Sequence, residues 1–470
     1  MSRKYFAAQD TDYTRKLAEY AVKLEYSDLP DEVVERVKMM TMHTLGVSLA
    51  ASPVALSNAS IRVARAANGG TGGGASVWLG GERLSAAAAA YANGTIADIL
   101  DWEDCAWTGH PSAGVIPVAM AMAEERGCSG KEYIAAVTAG LEVYQRVAMA
   151  VQPPADFDHN RGWALCNWQI FATCTPAAKL LKLDGHKMNQ TFGMACMYAA
   201  MPTNVQQATM SNAYHYQHGI AAQNGILAAL SAAEGVDNLE DCFDIPYAYC
   251  EQLTSAVDRS WLNRRLGEHF YTLDILIKHW PANMWLQTPL ELLSLLVKEH
   301  GIRPEDVEEI VLDPPTQYRM HCYDDGFSSL MEAQFSIPFV LAAYLLDPQP
   351  GPNWYAPERL TNPEVLELAK KVKAGPGRET TLMESFIGYQ NGKHPEKTLT
   401  VKLKNGQVFS RTQSIHKGHP ADMLSREEFK ELFRREASFA LSPERTEALI
   451  DFIVNLEKVD DMASFHKLIA

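Results

Sequence analysis

Between Asp101 and Gly114 the chain reads DWEDCAWTGHPSAG, a short stretch that holds three carboxylates, a thiol and an imidazole. If the helical pattern of ANGTIADILDWEDC continues into it, Asp98, Asp101 and Cys105 share one face at i, i+3 and i+7. Acids gathered at the C-terminal end of a helix oppose its dipole, so their placement asks for a reason. His110 follows in a Gly-His-Pro turn just before the apolar run VIPVAMAMAEE, where it could face the same cavity as Asp101. A carboxylate beside an imidazole fixes its tautomer and moves its pKa toward neutrality, which suits a general acid or base. The competing reading of the same residues is a solvated helix end with a capping histidine.

Other candidate motifs are weaker. GGTGGGASVWLG (Gly69 to Gly80) lacks the lysine of a phosphate-binding loop, and no strand leads into it, so it reads as a flexible loop. The pairs His215/His218 (HYQH) and His416/His419 (HKGH) have no matching cluster of Cys, His or carboxylate at a recognised ligand spacing. They read as packing or surface histidines, and no metal is expected. With no GxSxG elbow and no cysteine in a protease-like context, proton-transfer chemistry is the enzyme class left to examine.

The elements that must position these residues are mostly helices. From Tyr13 to about residue 255, apolar residues recur every three or four positions, as in LPDEVVERVKMMTMHTLGVSLA. Further helical patterns run over Ser85–Asp101, Val115–Arg126, Lys131–Val151, Pro176–Leu183, His186–Ala200 and Gly219–Gly235. After about Leu273 the character changes. EEIVLDPP (Glu308 to Pro315) and KTLTVKLKNGQVFSRTQSI (Lys397 to Ile415) alternate as strands do, the second with an Asn405-Gly406 hairpin signal. The tail SREEFKELFRREASFALSPERTEALIDFIVNL returns to helix. The expected fold is mainly α: a large helical domain built from both chain ends (1–273 and 414–470) with an inserted α+β lid domain (274–413).

The totals narrow the function. At 470 residues the chain is long enough for more than one core. A net charge of −15 and the lack of any basic stripe argue against nucleic acid as a partner. Eight scattered cysteines without a CxxC read as reduced core thiols, and no run of 18 apolar residues offers a membrane span. A cytoplasmic location with no membrane partner is the expectation.

The ordered series ANGTIADILDWEDC, GHPSAGVIPVAMAMAEERGCSGKEYIAAVTAGLEVYQR, PAAKLLKLDGHKMNQTFGMA and HGIAAQNGILAALSA resembles the MmgE/PrpD family. The likeness extends from LPDEVVERVK through IKHWPA and AQFSIPF to GHPADMLSREEFKELF. That family includes 2-methylcitrate dehydratases, cis-aconitate decarboxylases and iminodisuccinate epimerases. The resemblance implies a homodimer and cofactor-free, metal-free chemistry on a small di- or tricarboxylic acid.

On that resemblance, Asp101 and His110 match the acidic and histidine positions of the family's DFDDT-x-HP segment, with Cys105 in place of its threonine. Lys278 in IKHWPA matches the lysine of K-x-[FW]-P-[AS], and Arg146 in GLEVYQR matches a recurrent arginine; these two would clamp a substrate carboxylate. The family's second active-site histidine is replaced by Ala164, or by Trp163 if the register slips by one. Its lysine before the HGIAAQNG helix is replaced by Tyr214, next to His215. His321 and Tyr323 are the lid candidates. The expected activity is a lyase, with dehydration the leading form and decarboxylation close behind. His110 would be the main acid or base, Asp101 its orienting partner, and Tyr214, His215, His321 or Tyr323 a second proton donor. An isomerase or epimerase of a dicarboxylate, and a catalytically weakened binding or regulatory paralogue, are the alternatives.

Overall fold

Small residues decide how the helices of this chain meet. The computed structural model describes residues 11–469 apart from 71, 107–108, 154–161, 165, 200–208, 238 and 391–394, and it is mainly α. The helix Gln217–Ala233 packs against both Ala86–Asp98 and Gln169–Leu180. A Cβ on Gly219 would lie 2.1 Å from Thr95 Oγ1 and 2.4 Å from the Tyr91 carbonyl oxygen, and one on Gly225 would lie 2.3 Å from Thr173 Oγ1. Glycine alone permits this approach. The closeness brings the HYQH segment, at the start of one helix, over Asp98 at the end of the other.

Local signals set the helix limits. Ser85 accepts from the Ala88 N–H to cap Ala86–Asp98, and Ser129 with Glu132 forms a capping box at the start of Gly130–Ala150. Gly127, at φ 64°, closes Ser112–Arg126 in the left-handed conformation that favours glycine. The expected helices therefore appear within a few residues of their patterns, with one exception. Gln169–Leu180 starts well before Pro176, the first residue of the expected pattern, which lies inside the helix facing the gap left by Gly140.

The β structure is small. β1 (Ala75–Ser76) and β2 (Arg83–Leu84) form a hairpin within and just after the glycine-rich stretch, which had been read as loop. β3 (Asp104–Cys105) pairs antiparallel with β4 (Leu276–Ile277), Asp104 opposite Ile277 and Cys105 opposite Leu276. A four-stranded sheet has the order β6-β5-β7-β8, from β5 (Val307–Asp313), β6 (Val372–Ala374), β7 (Lys397–Leu403) and β8 (Val408–Gln413). Its β7–β8 hairpin turns at Asn405-Gly406 with Gly406 at φ 87°, and its only parallel pair is β5 with β6. After β8 the chain comes back: the helix Arg426–Ala437, capped by Ser425 and Glu428, packs on Asp31–Ala50.

Gly219→Ala places a methyl group against a backbone carbonyl that cannot move away. Overpacking of this kind costs about 1–3 kcal/mol, so a lower unfolding temperature than the native chain is expected by calorimetry. An unchanged melting temperature would show that the two helices do not depend on the contact.

Candidate active site

Asp98 is the centre of the site. It is fully buried, and three imidazoles converge on its carboxylate: His110 Nδ1 at 2.8 Å, His215 Nδ1 at 3.0 Å and His218 Nε2 at 3.4 Å. His110 and His218 stack with centroids 5.5 Å apart and planes at 16°. Buried Tyr214 meets His110 edge-on at 6.3 Å, with its hydroxyl unpartnered. The His110 Nδ1 also contacts a Glu103 carboxylate oxygen and lies 3.6 Å from Asp101. Two carboxylates on one ring nitrogen make that nitrogen the donor, so the proton on Nδ1 is fixed.

The acidic stretch is not helical. Ala86–Asp98 ends at Asp98, the chain turns, Asp101 takes a left-handed φ of 49°, and β3 follows. Asp101 and Cys105 are therefore not one helical turn apart as expected, and the strained backbone at Asp101 re-aims its side chain. The target is Lys278: its Nζ donates to Asp101 Oδ1 at 2.5 Å and to Glu103 Oε1 at 3.3 Å, all three side chains being fully buried. The Lys278 N–H also donates to the Glu103 carbonyl at 3.1 Å, extending the β3–β4 ladder by one bond. Behind this loop His43 Nε2 lies 2.8 and 2.9 Å from the Trp102 and Glu103 carbonyls, while its Nδ1 lies 3.2 Å from buried Glu436. Asp104 turns the other way and accepts from the N–H and hydroxyl of Ser112, capping the helix Ser112–Arg126.

Burial and charge act against each other throughout. Burial raises the Asp98 carboxyl, but His218, His110 and His215 outweigh it and hold the group well below the usual carboxylate range. Burial and Lys278 lower His110, yet Glu103 and Asp98 prevail and keep the ring well above its ordinary value. His218 is likewise penalised by burial and still raised to about 10 by Asp98 and Cys166. Asp101 is raised, burial outweighing Lys278, and Asp104 is pushed up to about 6 by burial and Glu103. At neutral pH the site thus holds an imidazolium on His110 beside ionised Asp98, a proton donor rather than a base. By donor spacing, Asp98, His110 and His218, or Asp98, Asp101, Glu103 and His110, could also hold a divalent ion. In the second set the Lys278 ammonium already fills the cation's place.

Two family models cover the chain: the MmgE/PrpD N-terminal domain over residues 15–261 and the MmgE/PrpD C-terminal domain over 280–458. The chain belongs to the MmgE/PrpD family. Among curated relatives it is similar to the cis-aconitate decarboxylase of Homo sapiens, 27% identical over 93% of this chain and 90% of that one. It is also similar to those of Mus musculus (26%; 95% and 91%) and Aspergillus terreus (23%; 97% and 95%).

Against the positions transferred from the MmgE/PrpD pattern, the structure brings Asp101, His110, Tyr214, His215 and Lys278 together. Other positions it places elsewhere. Arg146 does not reach the cluster: its guanidinium binds Glu142 at 3.2 Å and the carbonyls of Arg264 and His269, between the rings of Tyr20 and Tyr271. That arginine is a core ion pair. Trp163 donates to the Val151 carbonyl and packs on Trp168, with Ala164 buried beside it. His321 lies 2.8 Å from the Glu332 carbonyl, in an aromatic group with Phe327 and the exposed Tyr323. Cys105 packs with Leu276 and Met284, its thiol pushed up to about 12 by burial. The orienting partners of His110 are Asp98 and Glu103 more than Asp101, because Asp101 is held by Lys278.

Sequence reasoning missed Glu103 and His218 and used Asp98 only as a helix-face neighbour. The HYQH histidines, of which only His215 is a candidate from the family pattern, are both buried on Asp98. Their three-residue spacing at a helix start, beside the close-packing glycines of HGIAAQNG, was the available signal.

The raised His218 carries a pH dependence. Its folded value of about 10 exceeds the unfolded value of about 6.5, so its stabilisation is complete below about pH 6.5 and is lost as pH climbs through about 10. The melting temperature of the native chain is expected to fall over that window more steeply than that of His218→Gln. Parallel profiles for the two proteins would count against an ionised His218–Asp98 pair.

Proposed function

We propose that this chain is a lyase that removes carbon dioxide from a small carboxylic acid without a cofactor, with His110 as the proton donor. The observation that carries the reading is the placement of two carboxylates, Asp98 and Glu103, on His110 Nδ1, which favours the protonated ring. Dehydration and epimerisation both begin with a base that takes a proton from carbon, and an imidazolium held between two carboxylates is poorly suited to that step. Decarboxylation needs no such base. The C–C bond breaks, its electron pair stays on the substrate carbon, and a proton from the ring fills the position that carbon dioxide left.

The relatives support the same order of preference, since those compared carry the name cis-aconitate decarboxylase. This moves decarboxylation ahead of the dehydration that the sequence alone placed first. Tyr214 offers a further hydroxyl, its ring meeting His110 and its oxygen without a partner among the described residues. Lys278 keeps Asp101 and Glu103 in place as their counter-ion, so its role is positioning.

A panel of citrate-like, aconitate-like and dicarboxylic acids, incubated in deuterated water and scored by mass, tests this. Loss of carbon dioxide with one deuterium gained on the product is expected, and His110→Gln should lower the rate roughly 10²- to 10⁴-fold. Loss of water instead, or deuterium entering recovered substrate with no loss of mass, would overturn it in favour of dehydration or epimerisation.

A further inference from the structure

A site for carboxylic acids needs a free cation, and neither cation expected from the sequence is free. Lys278 is neutralised by Asp101 and Glu103, and Arg146 by Glu142. Among the described residues one guanidinium beside the site differs. Arg319, at the end of the short 3₁₀ turn Gln317–Arg319, is only 5% exposed, and no described carboxylate lies within ion-pair distance of it. Its Nε is buried without a hydrogen-bond partner.

Its surroundings lead directly to the catalytic histidine. The guanidinium carbon stands 4.4 Å from the Phe335 ring centre, Phe335 packs on Tyr214 at 5.7 Å, and Tyr214 packs on His110 at 6.3 Å. Neighbouring bonds dock this part of the inserted region on the helical part. Gln334 Nε2 donates to the Ile99 carbonyl, one residue beyond Asp98, and Ser329 Oγ donates to the Met210 carbonyl. Burial lowers Arg319, opposed first by Tyr318, whose ring centre lies 5.0 Å from the guanidinium carbon, and then by Tyr214 and Asp101.

We propose that Arg319 anchors the substrate carboxylate, and that the substrate carries one or two carboxylates together with a hydroxyl or amino group rather than three carboxylates. A buried guanidinium without a counter-ion is costly, and a bound carboxylate relieves that cost through a two-pronged, charge-assisted pair. In the cluster itself, Asp101 Oδ2 and Glu103 Oε2 are buried with no donor among the described residues. They call for an N–H or O–H on the ligand, which a further carboxylate does not supply. This deepens the lyase reading and rests on it for the location of the substrate.

Titration calorimetry of the full chain with malate, succinate and cis-aconitate tests the proposal. The native protein should bind malate most tightly, then succinate, then cis-aconitate. Arg319→Gln should weaken malate binding about tenfold or more, with Arg319→Lys in between and both variants checked for native melting behaviour. Tightest binding of cis-aconitate, or malate binding by Arg319→Gln within about twofold of native, would overturn the proposal. Should Arg319→Gln fail to fold, the order of the three acids on the native chain and the Arg319→Lys affinity decide. The two readings fail separately. Arg319-dependent malate binding in a chain that releases no carbon dioxide from any acid removes the lyase and keeps the anchor. Carbon dioxide release with an unchanged KM in Arg319→Gln does the opposite.

Discussion

A carboxylate with no access to water must be paid for by its neighbours, and Asp98 is that carboxylate. Removing an ion from water costs several kcal/mol even after relaxation, and here three imidazoles supply the return. They come from two separate places in the chain: His110 from the turn before Ser112–Arg126, and His215 and His218 from the start of Gln217–Ala233. For His215 and His218 the pairing requires Gln217–Ala233 to lie close on Ala86–Asp98, which is what Gly219 allows. The catalytic geometry and the helix packing are one constraint seen from two sides.

Lys278 extends the same logic across the fold. Its ammonium joins Asp101 and Glu103, its N–H joins the Glu103 carbonyl, and the preceding Ile277 N–H donates to Gly418. The acidic loop, β4 and the segment around Gly418 thus meet within a few residues. His43 and Glu436 brace that loop from behind, Glu436 lying on the helix that packs back on Asp31–Ala50. The site sits where all parts of the chain cross, and each crossing is held by a buried charge.

Much of this was legible beforehand. The helices followed from apolar residues recurring every three or four positions, the hairpin from Asn405-Gly406, and the family from the order of its motifs. Asp101, His110 and Lys278 were legible as chemistry because their residue types and flanking turns are distinctive. Glu103 and His218 were not, because nothing local separates a carboxylate aimed inward from one aimed at solvent. Arg146 misled for the converse reason: a matching position identifies an arginine without saying what it pairs with. The expected continuation of the helix past Asp98 failed because the period of apolar residues cannot register one left-handed residue, Asp101.

By itself, then, the sequence determined the elements, the family and the residues with catalytic potential, since these depend on spacing, capping and residue type within short stretches. The tertiary structure decided which of those residues carry usable charge. Lys278 is held by Asp101 and Glu103 from a distant part of the chain, Arg146 by Glu142 one helical turn away and His110 by Asp98 and Glu103, whereas Arg319 has no carboxylate partner among the described residues. Ionisation state is a property of the buried neighbourhood, and only the folded chain assembles that neighbourhood.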